Sequence, residues 1–288
     1  MKIVLTSVGN YPPPYLHHCL SQIRHYDKDI EVVLLTDQLI KYNEWAKYDV
    51  ELKLVCGRWL DSIKEVSPHK GLKSPNGYEE NDWLFGTCAR IFAIADYLEG
   101  NDQSLYHLES DVLLYTSLSE LDHNFRQLTQ FSCLRATLSH ISLAFSYIPS
   151  YRSIVGVCEH ILSEYSKSEE FLLKKYETTP TEMVILSKFN DLYILPSCNT
   201  DFGYGQFGAY DPAAIGQFLA GRHGHENDES WCEDRHFLGA KFKSKEWTPV
   251  FQDGEPFIRD NTGGLLYKLN SLHMHEKSKM SLFLSGDK

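Results

Sequence analysis

The segment Ser104–Thr116 reads SLYHLESDVLLYT, and it places two acids, Glu109 and Asp111, between two apolar runs of strand character. The same acid-x-Asp spacing recurs at Asp27/Asp29, Glu80/Asp82, Glu120/Asp122 and Glu226/Asp228, each time in polar surroundings that fit a solvated surface. Only Glu109/Asp111 is flanked by apolar residues, where an uncompensated carboxylate is costly. Two forms of compensation fit. One is a hard divalent cation, Mn²⁺ or Mg²⁺, which takes oxygen ligands and shares them with substrate phosphates. The other is a structural role, in which the acids cap a helix or pair with Arg90 or Arg135.

Elements that could position such a pair are legible around it. Lys2–Thr6, Glu31–Thr36, Val50–Val55 and Ser104–Leu108 are short runs of β-formers, and Tyr15–Tyr26 and Asp82–Leu98 have helical spacing, with Asp82 as N-cap. Apolar strands alternating with helices predict a mostly parallel, Rossmann-like sheet flanked by helices. Residues 56–80 carry no periodicity and read as a long loop. Further on, strands are expected at Phe131–Arg135, Leu143–Ile148 and Leu192–Leu195. Helices are expected at Tyr151–Tyr165, Thr181–Phe189 and Asp211–Leu219, and a final strand pattern at Leu265–His275. In open α/β sheets the ligand lies beyond the carboxyl ends of the strands, which directs attention to Thr6–Asn10, Asp37 and the residues after Leu108.

Composition narrows the function classes. The chain has 288 residues and a net charge of -11, with no basic stripe for a nucleic acid to follow. Seven scattered cysteines form no Cys-x-x-Cys pair, which fits free thiols in a reducing, cytoplasmic setting. No apolar run is long enough to span a bilayer, although peripheral membrane association is compatible with the sequence. There is no P-loop, no Gly-x-Ser-x-Gly elbow and no dinucleotide-binding glycine pattern at a strand-to-helix turn. His223, His225 and His236 stand among Glu, Asp and Asn and read as a solvated loop rather than a metal site.

Four segments together resemble the GT-A-fold, metal-dependent glycosyltransferases. HLESDVLLY (107–115) is similar to their acidic DXD motif, in the form Glu-x-Asp. WLFGTCARIF (83–92) is similar to the helix before that motif. YDPAAIGQFLAG (210–221) is similar to an Asp-x-Ala-Ala-x-Gly-Gln segment. LNSLHMHEK (269–277) is similar to a terminal Asn-Leu-His-x-His-Ser-Lys signature, with Ser271 in place of Asn and Glu276 in place of Ser. The matches keep the same order from residue 1 to about 279.

The resemblance implies one GT-A domain over residues 1–288. Residues 1–115 would bind the nucleotide sugar, a UDP- or GDP-sugar, and 116–288 would supply the acceptor half and a tail closing the site. A glycan or other hydroxyl compound would accept the sugar. Thr6, Gly9, Asn10 and Asp37 would lie by the nucleotide, with Arg90 and Lys277 by the diphosphate. Glu109 and Asp111 would hold the cation. His273 and His275, on one face of an extended strand, would join them. For an inverting transfer, Asp211, at the start of its helix with Pro212 at the first helical position, is the first candidate for the base that takes the acceptor proton. Glu182 is the second. Both also fit helix N-caps. A sugar-phosphate nucleotidyltransferase is a rival reading, but SVGNYPPPY lacks the basic residue such enzymes carry after the first strand. A non-catalytic carbohydrate-binding protein is another, though it needs no acids at a strand end.

Overall fold

The computed structural model describes residues 1–8, 12–38, 44–66, 80–176, 180–196, 207–220 and 244–286, without the side chains of 80–85 and 169. Gly9, Asn10, His223, His225 and His236 lie outside these. Strands β1 (Lys2–Ser7), β2 (Glu31–Thr36), β3 (Val50–Leu54) and β4 (Leu105–Leu108) form a parallel block in the order β3-β2-β1-β4. β7 (His140–Ile148) runs antiparallel beside β4. β6 (Phe131–Thr137) pairs antiparallel with β7, and β8 (Leu192–Ile194) pairs parallel with β6. Only β7 therefore runs against the other six strands, and the sheet draws on both halves of the chain.

Alternation within the strands builds the two faces. Val4, Val33 and Leu35 pack on one side, with α2 (Arg58–Val66), α3 (Glu80–Leu98), α5 (Tyr151–Tyr165), α6 (Glu169–Tyr176) and α7 (Glu182–Leu186). Ile3, Leu5, Val32 and Leu34 pack on the other, with α1 (Leu16–Tyr26) and α4 (Leu118–Phe125). Each such fully buried aliphatic side chain contributes roughly 1.5–3 kcal/mol. Both faces are covered, which is why these strands are apolar throughout. Among the described residues, no helix is long and apolar enough to cross a membrane.

A third core closes the carboxyl-terminal side. β9 (Trp247–Gln252), β10 (Glu255–Asp260) and β11 (Leu266–Lys268) form a meander. β12 (Ser271–His273) pairs antiparallel with β5 (Val112–Leu114), the short strand after the two acids. Leu272, Met274 and Met280 of the tail, Leu113 of β5 and Tyr115 just after it, and Ile215 of α8 (Ile215–Ala220) pack together. The tail is thus part of the core and not an appendage.

Several expectations need correction. The long loop over 56–80 contains α2, whose Trp59, Leu60 and Ile63 are buried. Its first turn is capped from α3, because Asp96 accepts the N–H groups of Trp59 (3.0 Å) and Leu60 (2.9 Å). A cap supplied from 36 or 37 residues away leaves no local signature. α3 begins at Glu80, so Asp82 lies inside the helix. α8 begins at Ile215, and Asp211–Ala214 form a turn before it, with Ala213 at a φ of 112°. Pro212 is therefore not in the first turn. The tail strand is broken into β11 and β12. The hairpin β9–β10 did carry a signal: Asp253-Gly254, both at positive φ, between two alternating runs.

Arg24 of α1 anchors the loops under this core. Its guanidinium donates to the carbonyls of Tyr48 (2.7 Å), Ile30 (2.6 Å) and Asp49 (2.8 Å), with longer bonds to Lys28 and Asp27. Because the group is half-buried, the released carbonyls are partly rehydrated, so Arg24→Ala is expected to cost about 1–3 kcal/mol. Urea unfolding should show a lower midpoint at an unchanged slope.

Candidate metal and diphosphate site

Register and connectivity place the acids. Val4 of β1 lies opposite His107 of β4, so two residues on, Thr6 stands level with Glu109. Ser7 is level with Thr36, which puts Asp37 at the same edge of the sheet. At this edge β4 ends and the chain turns through Glu109, Ser110 and Asp111. The Glu109 N–H donates to the Ala144 carbonyl (3.1 Å), and the Val112 N–H donates back to the Glu109 carbonyl (3.1 Å). The Met274 N–H donates to the Asp111 carbonyl (2.9 Å), so the tail is bonded to the acidic turn itself.

Each carboxylate uses one oxygen on a cation. Arg90 of α3 contacts Glu109 Oε1 at 2.7 Å, and Lys277 bonds to Asp111 Oδ2. The other oxygens, Glu109 Oε2 and Asp111 Oδ1, face His273 Nε2 at 3.5 and 3.4 Å. Ligand atoms of Glu109, Asp111 and His273 lie within 4.8 Å of one another, the one such grouping of potential metal ligands among the described residues. Two carboxylate oxygens and an imidazole nitrogen suit Mn²⁺, which accepts both ligand types.

The charges are strongly coupled. Burial alone would raise the Asp111 carboxyl, but His273 and Lys277 hold it well below the ordinary range. Burial would lower the His273 imidazole, yet Asp111 and Glu109 raise it overall above the ordinary histidine value. Burial also depresses Arg90, but Glu109 and Glu182 outweigh it, and the group stays a guanidinium. His107, two residues before Glu109, is pushed down to about 3 by burial and by Arg90. It is neutral, with Nδ1 on the Val4 carbonyl at 3.0 Å.

The remaining candidates fall into place unevenly. Arg90 pairs with Glu109 and with Glu182 of α7 (2.9 Å) and has no ion pair to Asp111. Arg135 of β6 donates to the Leu138 carbonyl instead. His275 lies beyond the end of β12 and outside the three-residue grouping, with its ring 4.7 Å from that of His273. Lys277 also donates to the Met274 carbonyl at 2.6 Å and sits 5.5 Å from the ring of Tyr15. Glu276 is turned to Ser278, whose N–H it accepts at 3.2 Å, and so caps the 3-10 helix Lys277–Phe283.

Neither candidate base is placed for proton transfer. Asp211 is 0 % exposed. Its Oδ1 accepts the N–H groups of Ala213, Ala214 and Ile215 at 2.8–3.0 Å. Its Oδ2 accepts those of Gly216 (2.7 Å) and His273 (3.1 Å). Glu182 is 1 % exposed and bonds to Arg90 and to Thr87 Oγ1 (3.0 Å). Both are structural acids, in keeping with the capping alternative for Asp211. The supporting contacts of Thr87 and of Ser271, whose Oγ accepts the Asp211 N–H at 3.2 Å, had no sequence signal, since both join distant segments.

Arg90 links this scaffold to the acidic turn. Arg90→Met would leave the buried Glu182, and Glu109, without their shared cation, a loss of about 3–5 kcal/mol. Adding Glu182→Gln should restore the part of the loss that comes from Glu182 and leave the part that comes from Glu109, and a double-mutant cycle by chemical unfolding measures the Arg90–Glu182 coupling.

No family model and no curated protein matches the sequence. Solved structures do match. The galactosyltransferase LgtC, in complex with donor and acceptor sugar analogues, aligns over 100 % of this chain and 98 % of its own, at 12 % identity and a TM-score of 0.51. An active-site mutant of LgtC gives the same TM-score over 98 % and 95 %. The glycosyltransferase GlyE of Streptococcus pneumoniae aligns over 67 % of this chain, which spans only 45 % of GlyE, at 13 % identity and a TM-score of 0.42. At such identities the likeness speaks to architecture. With its parallel block, its single antiparallel strand and its acidic turn after β4, the chain has the GT-A glycosyltransferase fold.

Proposed function

We propose that this protein is a divalent-metal-dependent glycosyltransferase that moves a sugar from a nucleotide-diphosphate sugar to a hydroxyl acceptor. The observation that carries the reading is the convergence of Glu109 Oε2, Asp111 Oδ1 and His273 Nε2 at the carboxyl end of β4. It lies where ligands bind in open α/β sheets. The donor set fits the cation, because the atoms that face one another are those not already bonded to Arg90 or Lys277. A bound Mn²⁺ or Mg²⁺ supplies Lewis-acid stabilisation of the departing diphosphate, a contribution of several kcal/mol.

The chain's own residues do the rest. Glu109 and Asp111 present fixed oxygens, since their backbones are bonded to β7 and to the tail. Lys277, 27 % exposed, holds its ammonium at the rim on Asp111 and the Met274 carbonyl, where it would face a diphosphate. Thr6 and Asp37 stand at the same sheet edge, where a nucleotide would extend. Arg90 holds Glu109 from the α3 side and ties it to Glu182. LgtC has been seen with donor and acceptor sugar analogues, which supports the same class of ligands here.

Hydrolysis or transfer measured over a panel of UDP- and GDP-sugars should require Mn²⁺ or Mg²⁺. Asp111→Asn should lower it at least 1,000-fold, about 4 kcal/mol, with the fold retained. Activity that survives chelation, or survives in Asp111→Asn, overturns the reading. The pH dependence has a definite sign. His273 carries a raised pKa and must release its proton to bind a cation. Mn²⁺ affinity by calorimetry should therefore rise with pH through that pKa and level off above it. His273→Gln should flatten the profile.

A further inference from the structure

The tail strand is held from two sides, and the second is unexpected. On one side β12 pairs with β5, with His273 opposite Val112 and Ser271 opposite Leu114. On the other, the His273 N–H donates to Asp211 Oδ2, and the Asp211 N–H donates to Ser271 Oγ. The same Asp211 oxygen accepts the Gly216 N–H, and its partner oxygen collects three N–H groups of the turn leading into α8. One buried carboxylate therefore gathers five backbone donors from two segments about 60 residues apart. The fit is tight as well as polar. A Cβ at Gly216 would stand 2.2 Å from the His273 carbonyl oxygen and 3.3 Å from Asp211 Oδ2. Ala213 is held at a φ of 112°, a region that L-residues rarely adopt, by the turn that Asp211 closes.

We propose that Asp211 is a positioning residue for the metal site: its carboxylate fixes the backbone of His273 and so sets where that imidazole meets Glu109 and Asp111. The proposal rests on the metal reading above. It replaces a role in proton transfer with one in geometry. The strand is bonded on both sides around His273: the Met274 N–H to the Asp111 carbonyl on one, the His273 N–H to Asp211 on the other, which restrains it from sliding or tilting. Supports of this kind behind a metal ligand commonly affect affinity by tenfold or more. Asn is not an adequate replacement. Its single amide oxygen serves one set of N–H groups, and its NH₂ then confronts the other set, donor against donor.

The test uses Mn²⁺ as its own probe. Three-pulse electron spin echo on the Mn²⁺-loaded wild-type protein should show modulation from the ¹⁴N of His273. Asp211→Asn should weaken Mn²⁺ affinity at least tenfold and lose this ¹⁴N modulation at saturating metal. Gly216→Ala, which acts on the same strand from α8, should do likewise, and it carries the test if Asp211→Asn does not fold. Arg24→Ala, which lowers stability away from the site, should keep both signals. Nitrogen modulation and affinity unchanged in the Asp211 and Gly216 variants would overturn the proposal and leave the metal reading intact. Manganese bound to the wild type without ¹⁴N modulation would also overturn it, because His273 would not be a ligand. A wild type that binds no Mn²⁺ would bring down the metal reading itself.

Discussion

Two carboxylates at the end of a buried strand must be compensated, and most of the surrounding structure serves that need. Glu109 and Asp111 stand where β4 leaves a sheet covered on both faces. Leaving either uncompensated would cost several kcal/mol. The protein supplies one fixed cation to each, Arg90 and Lys277, and directs the remaining oxygens toward His273. Each acid is thus compensated from within the protein while one oxygen of each is left facing His273. This compensation also explains why the site brings together three segments far apart in sequence.

The two cations are not equivalent. Arg90 is nearly buried and fixed by a second carboxylate on α7. Lys277 is partly exposed, at the start of the 3-10 helix Lys277–Phe283, and bonds to Asp111 and the Met274 carbonyl. Arginine suits the first task because its planar fork serves two acids at once. Lysine suits the second because it is a compact point charge on a flexible stem. One nearly buried and one partly exposed positive charge thus stand at this edge of the sheet.

Much of this was legible in the sequence because it is local. The strands β1, β2 and β4, the helix α5 and the isolation of Glu109-x-Asp111 among apolar residues all follow from periodicity and contrast over short windows. What was missed depends on partners distant in sequence. α2 is capped by Asp96 of α3. Arg90 turns to Glu109 because Glu182 holds its other arm. Asp211 caps α8 from a turn four residues before it, where the Asp-Pro pattern placed the helix start itself, and the His273 backbone that it also binds lies 62 residues on. His273 and His275 do share a segment, yet β12 ends at His273, so strand alternation did not carry His275 into the grouping.

The central claim is that Glu109, Asp111 and His273 form one cation site at the carboxyl edge of the sheet. Anomalous diffraction at the manganese edge, from crystals soaked with Mn²⁺ and UDP, tests it most directly. The account predicts one strong peak within bonding distance of Glu109 Oε2, Asp111 Oδ1 and His273 Nε2, with Lys277 turned away from Asp111. A peak elsewhere in the protein, or UDP bound with Lys277 still on Asp111 and no manganese between the three side chains, would contradict it.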